Sequence, residues 1–375
     1  MIYFKNDFIE LRRLLEKEKS VYFIYDHAVK GYAQGLMEET WDVKGMRGGE
    51  DAQTMEKAEE ICRWHVKGKR GGDDAQTMEK AEEICRWHVK GMRGGEGAKT
   101  MKKAEEICRW LLAEGADRDA LVVAMGGGTI TDLVGFAAGI YKRGVRVGYV
   151  PTTLLADVDA SVGGKCAVNL DGLKNEIGIF RDPEFVYINT EPLATLGEKE
   201  WRSGIGELVK TFILFDKKLF EEFLRKKKCG TEEIEAALCY KEKIVSMDPT
   251  EQGVRILLNF GHTFGHAIEA YELQYKDKSQ RLAHGEAVAV GMCFAAKLSG
   301  REIGEKIERS LRALSLPTDT CGIPDEELFE AIRHDKKKYG NRVKMVLLED
   351  IGSPYIEEIE LDDLYKRFRK ISRAD

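Results

Sequence analysis

His262 and His266 stand four residues apart in RILLNFGHTFGHAIEA (255–270), a spacing that sets both imidazoles on one face of a helix. A third histidine, His284, opens the apolar stretch LAHGEAVAVGM (282–292). Glu207 lies inside SGIGELVKTFIL (203–214), with Lys210 one turn later. The chain has only seven histidines, so three of them in two short apolar stretches call for more than packing. Two imidazoles and one carboxylate, with a position left open, form the ligand set of a catalytic zinc ion. Whichever histidine remains is then available for proton transfer or for holding a substrate. Core histidines satisfied by backbone groups are the plain alternative.

A second group lies in PTTLLADVDASVGGKCAVNLDGLKNEIGIF (151–180), which places Asp159, Lys165, Lys174 and Asn175 among glycines and small residues. Such loops form binding surfaces, and the lysines suit an anionic substrate. The turn MGGGTITD (125–132) joins a strand to a helix, where backbone N–H groups and the helix N-terminus favour phosphate oxygens. It is not a GxGxxG pattern, and Asp132 would serve equally as a helix cap. Asp26, which ends the strand-like SVYFIYD, can accept hydrogen bonds from a ribose or cap a loop.

The elements that must position these groups follow from periodicity. Ser20–Asp26, the start of Ala120–Gly144, Val145–Thr153 and Glu184–Thr190 read as strands alternating with helices, the pattern of a mostly parallel α/β sheet. Beyond residue 190 helical patterns dominate, with only Arg342–Asp350 extended. We therefore expect an α/β domain over 1–190 and a mainly helical domain over 191–375. A length of 375 residues with 43% hydrophobic content supports two such cores. The net charge of −6 and the absence of a basic block exclude nucleic acid as a main partner. The charged start MIYFKNDFIELRRLLEKEKS is no signal peptide and no apolar run matches a membrane span, so a cytoplasmic protein is expected. The eight cysteines lack CxxC spacing and read as reduced, mostly buried thiols.

One feature stands apart. Met46–Gly68 is repeated with two changes as Lys69–Gly91, and a third copy opens at Met92. In each copy Met, Ala, Ile and Trp recur at helical spacing, as in Met55, Ala58, Ile61 and Trp64. The near-identity of the copies, with no repeat elsewhere, points to a local tandem duplication rather than a solenoid.

From Asp26 to the C-terminus the chain resembles the 3-dehydroquinate synthase family, through GGGTITD, PTTLLADVDASVGGK, GLKNEIG, EQGVRILLNFGHTFGHAIEA and HGEAVAVGM in that order. The resemblance implies a Rossmann-like NAD-binding domain followed by a mainly α-helical metal-binding domain, in a homodimer. It implies conversion of 3-deoxy-D-arabino-heptulosonate 7-phosphate to 3-dehydroquinate and phosphate, in the shikimate pathway of aromatic amino acid biosynthesis. The route would be transient oxidation by NAD, phosphate elimination, re-reduction and intramolecular aldol closure.

By position, the resemblance makes Glu207, His262 and His284 the ligands of Zn2+ or Co2+, and His266 the neighbouring catalytic histidine. Lys165, Lys241, Arg255, Asn259 and a lysine of the DKK sequence, Lys336 or Lys337, would hold the substrate's carboxylate, hydroxyls and phosphate. Glu251 matches an active-site carboxylate, and Arg143 an arginine that reaches the neighbouring subunit's substrate. NAD contacts would fall to Asp26, Gly127, Gly128, Asp132, Thr152, Thr153, Asp159, Lys174, Asn175, Thr195 and Leu196.

The family's GExxK turn, which contacts the adenosine side of NAD, is matched by copy three through Gly95, Glu96 and Lys99, with GADR following at 115–118. Copies one and two carry Gln53 and Gln76 where the lysine belongs, so residues 46–91 are expected to be extra, bulging outward or adding a helical layer. Two further departures are TITD in place of the usual GVxGD and the 22-residue spacing from His262 to His284, expanded at ELQYKDKSQRL. The alternatives are a sugar-phosphate cyclase of the 2-deoxy-scyllo-inosose or epi-valiolone type, a polyol dehydrogenase, or a non-catalytic relative disabled by the duplication. The cyclases act on substrates without the carboxylate and should lose part of the set Lys241, Arg255, Asn259 and DKK, all present here.

Overall fold

The structure, a computed structural model, describes residues 1–5, 7–40, 87–171, 173–320, 322–336 and 341–372. Lys337 and residues 46–86 of the repeat therefore lie outside the described residues, as does the expectation of a bulge or helical layer there. The chain forms two compact units, one of residues 1–156 and 164–195, the other of 157–163 and 196–375.

The first unit carries β1 (Ile2–Phe4), α1 (Ile9–Leu15), β2 (Val21–Asp26), α2 (Lys30–Thr40), β3 (Trp87–Met92), α3 (Met101–Ala113), β4 (Leu121–Gly126), α4 (Gly128–Ile140), β5 (Arg146–Pro151), β6 (Lys165–Leu170), β7 (Leu173–Phe180) and β8 (Phe185–Ile188). Six strands pair in parallel in the order β1-β8-β5-β4-β2-β3, and β6 and β7 form a separate antiparallel hairpin. Every residue of β4 is buried, as a parallel strand covered on both faces demands. Phe23, Val123, Met125 and Tyr187 join the core beneath the helices, where full burial of such a side chain contributes about 1.5–3 kcal/mol. The order of connection reverses between β2 and β4, and ligands of open α/β sheets bind at the carboxyl ends of strands at such a point. Asp26 ends β2 and Gly127 follows β4.

The edge strand corrects one expectation. Trp87–Gly91, the tail of copy two, pairs with β2 from Val21↔Trp87 to Asp26↔Met92. The alternating sequence W-x-V-K-G precedes each copy, as WDVKG at 41–45 and WHVKG at 64–68 and 87–91, so the tail nearest copy three can fill the edge. His88 there stacks on Tyr22 with ring centroids 4.5 Å apart and lies 2.9 Å from Glu114.

The second unit contains α5 (Glu198–Phe215), α6 (Lys217–Lys226), α7 (Thr231–Met247), α8 (His262–Tyr275), α9 (His284–Ser299), α10 (Arg301–Ala313), α11 (Asp325–Lys336), β9 (Arg342–Asp350), β10 (Ser353–Glu360) and α12 (Leu361–Ser372). Phe264, Phe329 and Phe368 centre its core. The expected strand at 342–350 has a partner that periodicity did not reveal, since SPYIEEIE pairs with it antiparallel. Among the described residues no helix is long and apolar enough to cross a membrane. The described cysteines are free; Cys166 and Cys293 are buried, Cys108 and Cys229 half-buried and Cys239 exposed, so burial is less general than expected.

Candidate active site: a glycine cradle and a buried carboxylate with two imidazoles

In the first unit, several sequence-predicted nucleotide contacts come together. Asp26 accepts from the N–H of Ala28 at 3.0 Å, which caps the next turn, and from the N–H of Gly94 at 3.3 Å. A Cβ at Gly94 would stand 1.9 Å from Asp26 Oδ2, so only glycine lets copy three's turn approach that carboxylate. The N–H of Gly95 donates to Thr129 Oγ1 at 3.1 Å. Lys99 is buried and donates to Asp132 at 2.6 Å and to Asn175, whose backbone is left-handed at φ 58°. Glu96 Oε1 accepts from Asn169 at 2.8 Å. Helix α4 starts at Gly128 after Gly127 with no side-chain cap. A helix N-terminus left open beside glycines is the arrangement that receives a pyrophosphate. Thr152 is buried, and Thr153 Oγ1 accepts from the N–H of Ala156 at 3.2 Å. Lys165 opens β6 and Lys174 lies on β7, both exposed, while Arg143 is exposed in a turn at φ 72° and Thr195 bonds the Pro192 carbonyl at 2.8 Å.

Asp159 and Leu196 belong to the second unit instead. Asp159 lies on a π-helical turn, Ala156–Ala160, and accepts from Lys241, whose ammonium also bonds its carbonyl. Burial would raise the Asp159 carboxyl, but Lys241 and then Lys210 outweigh it and hold it below the usual carboxylate range. Burial lowers Lys241. Arg255 is buried and donates to the carbonyls of Gly163 at 2.8 Å and Pro249 at 2.7 Å. Asn259 donates to Glu251 at 2.6 Å, and Glu251 has a left-handed backbone at φ 59°. Lys336 ends α11.

The metal-ligating candidates sit where α5, α8 and α9 meet. A Cβ on Gly206 would be 2.2 Å from the Gly285 carbonyl and one on Gly285 1.8 Å from the Ser203 carbonyl, so glycines set the approach of α5 and α9. The start of α9 is fixed by Ala283 N–H to Glu286 at 2.9 Å, Arg202 to Glu286 at 2.6 Å and Leu282 N–H to buried Glu272 at 2.6 Å. The expanded loop before His284 is thereby tied to α8. Glu207, 1% exposed, lies with Oε1 at 3.7 Å from His262 Nε2 and 3.6 Å from His284 Nε2. Glu207 Oε2 is ion-paired with the buried Lys210 ammonium, while Oε1 has no hydrogen-bond partner among the described residues. A buried carboxylate oxygen without a hydrogen bond, facing two imidazole nitrogens, fits a divalent cation. Burial, then Lys210 and the two neighbouring imidazoles, hold His262 well below its ordinary value, so it is neutral and ready to ligate at pH 7. His266 is exposed, its ring centroid 5.3 Å from that of His262.

Two residues gain a place that sequence reasoning did not give them. Lys210, 2% exposed, forms an ion pair with Glu207 and acts electrostatically on Asp159, Lys241 and His262. Its signal was present, a lone cation one turn from a lone acid in an apolar helix. Glu269 is the second, its Oε2 3.2 Å from Nδ1 of His284.

A sequence profile described as 3-dehydroquinate synthase N-terminal matches residues 89–203, and one described as 3-dehydroquinate synthase C-terminal matches 204–338. A 3-dehydroquinate synthase of Thermoanaerobacter pseudethanolicus is 41% identical over 263 residues, covering 66% of this chain and 72% of that one. The fold is similar to that of the 2-epi-5-epi-valiolone synthase from Streptomyces hygroscopicus subsp. jinggangensis, solved with NAD+ and Zn2+, at TM-score 0.78 and 21% identity over 100% of this chain and 97% of that one. It is also similar to a 2-deoxy-scyllo-inosose synthase complexed with carbaglucose-6-phosphate, NAD+ and Co2+, at TM-score 0.72 and 23% identity over 98% and 96%. By these matches over both of its units, the chain belongs to the 3-dehydroquinate synthase family.

Proposed function

We propose that the chain converts 3-deoxy-D-arabino-heptulosonate 7-phosphate to 3-dehydroquinate and phosphate, as an NAD- and divalent-metal-dependent lyase. NAD, held by Asp26, Glu96, Lys99, the Gly127–Gly128 turn, Asp132, Thr152, Thr153, Lys174 and Asn175, supplies a hydride acceptor that becomes a donor later in the same turnover. Zinc or cobalt, held by Glu207, His262 and His284, supplies Lewis acidity toward substrate hydroxyls.

The chain's own groups do the rest. Lys241, Arg255 and Asn259 bind substrate anions and hydroxyls; their present partners are backbone carbonyls and carboxylates that an anionic substrate can replace. Lys165 and one of the two lysines Lys336 and Lys337 add positive charge for carboxylate and phosphate, and Glu251 orients Asn259. His266 carries a proton on an imidazole nitrogen to or from the reacting centre. Asp159 and Lys210 hold the charge balance around Lys241 and His262.

The observation that carries this reading is the presence, in one unit, of the Glu207–His262–His284 cluster together with Lys241, Arg255 and Asn259. Its test is substrate discrimination. Phosphate should be released from the heptulosonate phosphate and not from glucose 6-phosphate or sedoheptulose 7-phosphate, and EDTA should abolish release. Turnover of a carboxylate-free sugar phosphate at a matching rate would make it one of the other cyclases.

The same proposal includes a cytoplasmic homodimer, in which Arg143 serves the neighbouring subunit's substrate. The exposed apolar residues Leu170, Leu173 and Phe180 on β6 and β7 support an interface. Light scattering that gives the mass of one chain would remove the dimer.

A further inference from the structure

The three-residue cluster leaves one carboxylate beside it without a role. Glu269 follows His262 by two helical turns on α8 and His266 by three residues, so all three share a face. Its side chain is 8% exposed, and its Oε2 stands 3.2 Å from Nδ1 of His284. That nitrogen is opposite the one facing Glu207, since His284 Nε2 is 3.6 Å from Glu207 Oε1. A carboxylate oxygen only accepts, so the contact sets the ring proton on Nδ1 and leaves the Nε2 lone pair directed at Glu207. His262 has the same arrangement with a neutral acceptor, its Nδ1 being 3.3 Å from the Phe260 carbonyl and its Nε2 3.7 Å from Glu207 Oε1.

We propose that Glu269 is the positioning residue of the metal site. It holds His284 in the tautomer and orientation that ligate through Nε2, and its charge raises the basicity of that nitrogen. The inference rests on Glu207, His262 and His284 being the ligands. A competing role is visible in the same geometry, because ligand atoms of His266, Glu269 and His284 also lie within 4.8 Å of one another. Using Glu269 as a ligand there requires His284 Nδ1 to give up its proton. One neutral ring cannot offer both nitrogens, so that arrangement would take His284 from the first cluster. The two roles predict different stoichiometries and different effects of substitution.

The experiment is Co2+ titration of the full metal-free chain followed by visible absorption, with Zn2+ affinity from competition against a chromophoric chelator. The proteins are wild type, Glu269→Gln, Glu269→Ala and His262→Ala. Wild type should take one ion per chain. Glu269→Ala should weaken both metals by about 10–100-fold and alter the Co2+ bands, with Glu269→Gln, an acceptor without charge, between the two. Melting in EDTA should be unchanged for Glu269→Gln, which carries the test if the alanine variant does not fold. Wild-type affinity and spectrum in both Glu269 variants would overturn the inference while leaving the metal ligands standing. Two ions in wild type falling to one in Glu269→Gln would make Glu269 a ligand and overturn it too. Wild type that binds no ion, or His262→Ala that binds like wild type, removes the ligand set itself and the inference with it.

Discussion

The proposed nucleotide cradle of the first unit and the proposed metal cluster of the second are built on different plans. In the cradle, charged groups satisfy one another: Lys99 bonds Asp132 and Asn175, Glu96 bonds Asn169, and Asp26 caps a turn. In the cluster, Lys210 pairs with Glu207 Oε2, but Oε1 faces two imidazoles with no hydrogen-bond partner among the described residues. The cradle is a finished surface with an open helix end, whereas the cluster leaves one carboxylate oxygen and two imidazole nitrogens facing one another. The lesson is that loss of the metal should cost far more than loss of any one nucleotide contact.

The largest expected effect breaks the cluster. His262→Ala should abolish stoichiometric zinc binding and lower phosphate release by at least about a thousandfold; atomic absorption and a phosphate assay check both, and a near-wild-type rate would end the metal assignment. A smaller effect breaks the cradle. Lys99→Gln converts copy three's turn to the residue found in copies one and two, and should raise the NAD concentration for half-maximal rate by about tenfold, with the saturated rate kept. An unchanged NAD requirement would move that contact elsewhere.

A third prediction concerns stability. Asp157 is fully buried, neither of its oxygens has a hydrogen-bond partner among the described residues, and burial raises its carboxyl well above the usual range. A raised folded-state pKa means stability falls as pH climbs past the unfolded value toward the folded one. Asp157→Asn does not ionise, so it should melt about 2–4 °C higher than wild type at pH 8, with a smaller gap at pH 5. An equal gap at both pH values would contradict the burial argument.

The smallest effect belongs to the repeat. Deleting residues 46–91 joins Gly45 to Met92 and supplies WDVKG in place of WHVKG for β3. The saturated rate should stay within about twofold, with a loss of about 0.5 kcal/mol because Asp42 replaces His88 opposite Glu114. A folded but inactive deletion variant would show that an earlier copy is needed.

The grouping of His262, His284 and Glu207 was the most legible part of the sequence, because histidine is scarce in this chain and Glu207 is a lone acid in an apolar stretch. Four of the six parallel strands, β2, β4, β5 and β8, were legible as apolar runs, whereas the three-residue β1 was too short to show a pattern. The β6–β7 hairpin was not, since LKNEIGIF is largely exposed and carries no buried stripe. Nor was the placement of Asp159, which a π-helical turn carries into the second unit. The edge strand was hidden for a different reason: three near-identical tails compete for one slot, and sequence alone does not rank them. Glu269 was passed over because a helical glutamate beside two histidines has no distinguishing spacing until His284 comes to it from another helix.

The most direct test of the whole account supplies the heptulosonate phosphate, zinc and a small amount of NAD to the intact chain, following phosphate and the absorbance of NADH together. The account predicts phosphate released in large excess over the NAD supplied, with no accumulation of NADH. Phosphate absent from a folded, metal-loaded protein, or NADH rising in step with substrate consumed, would contradict it.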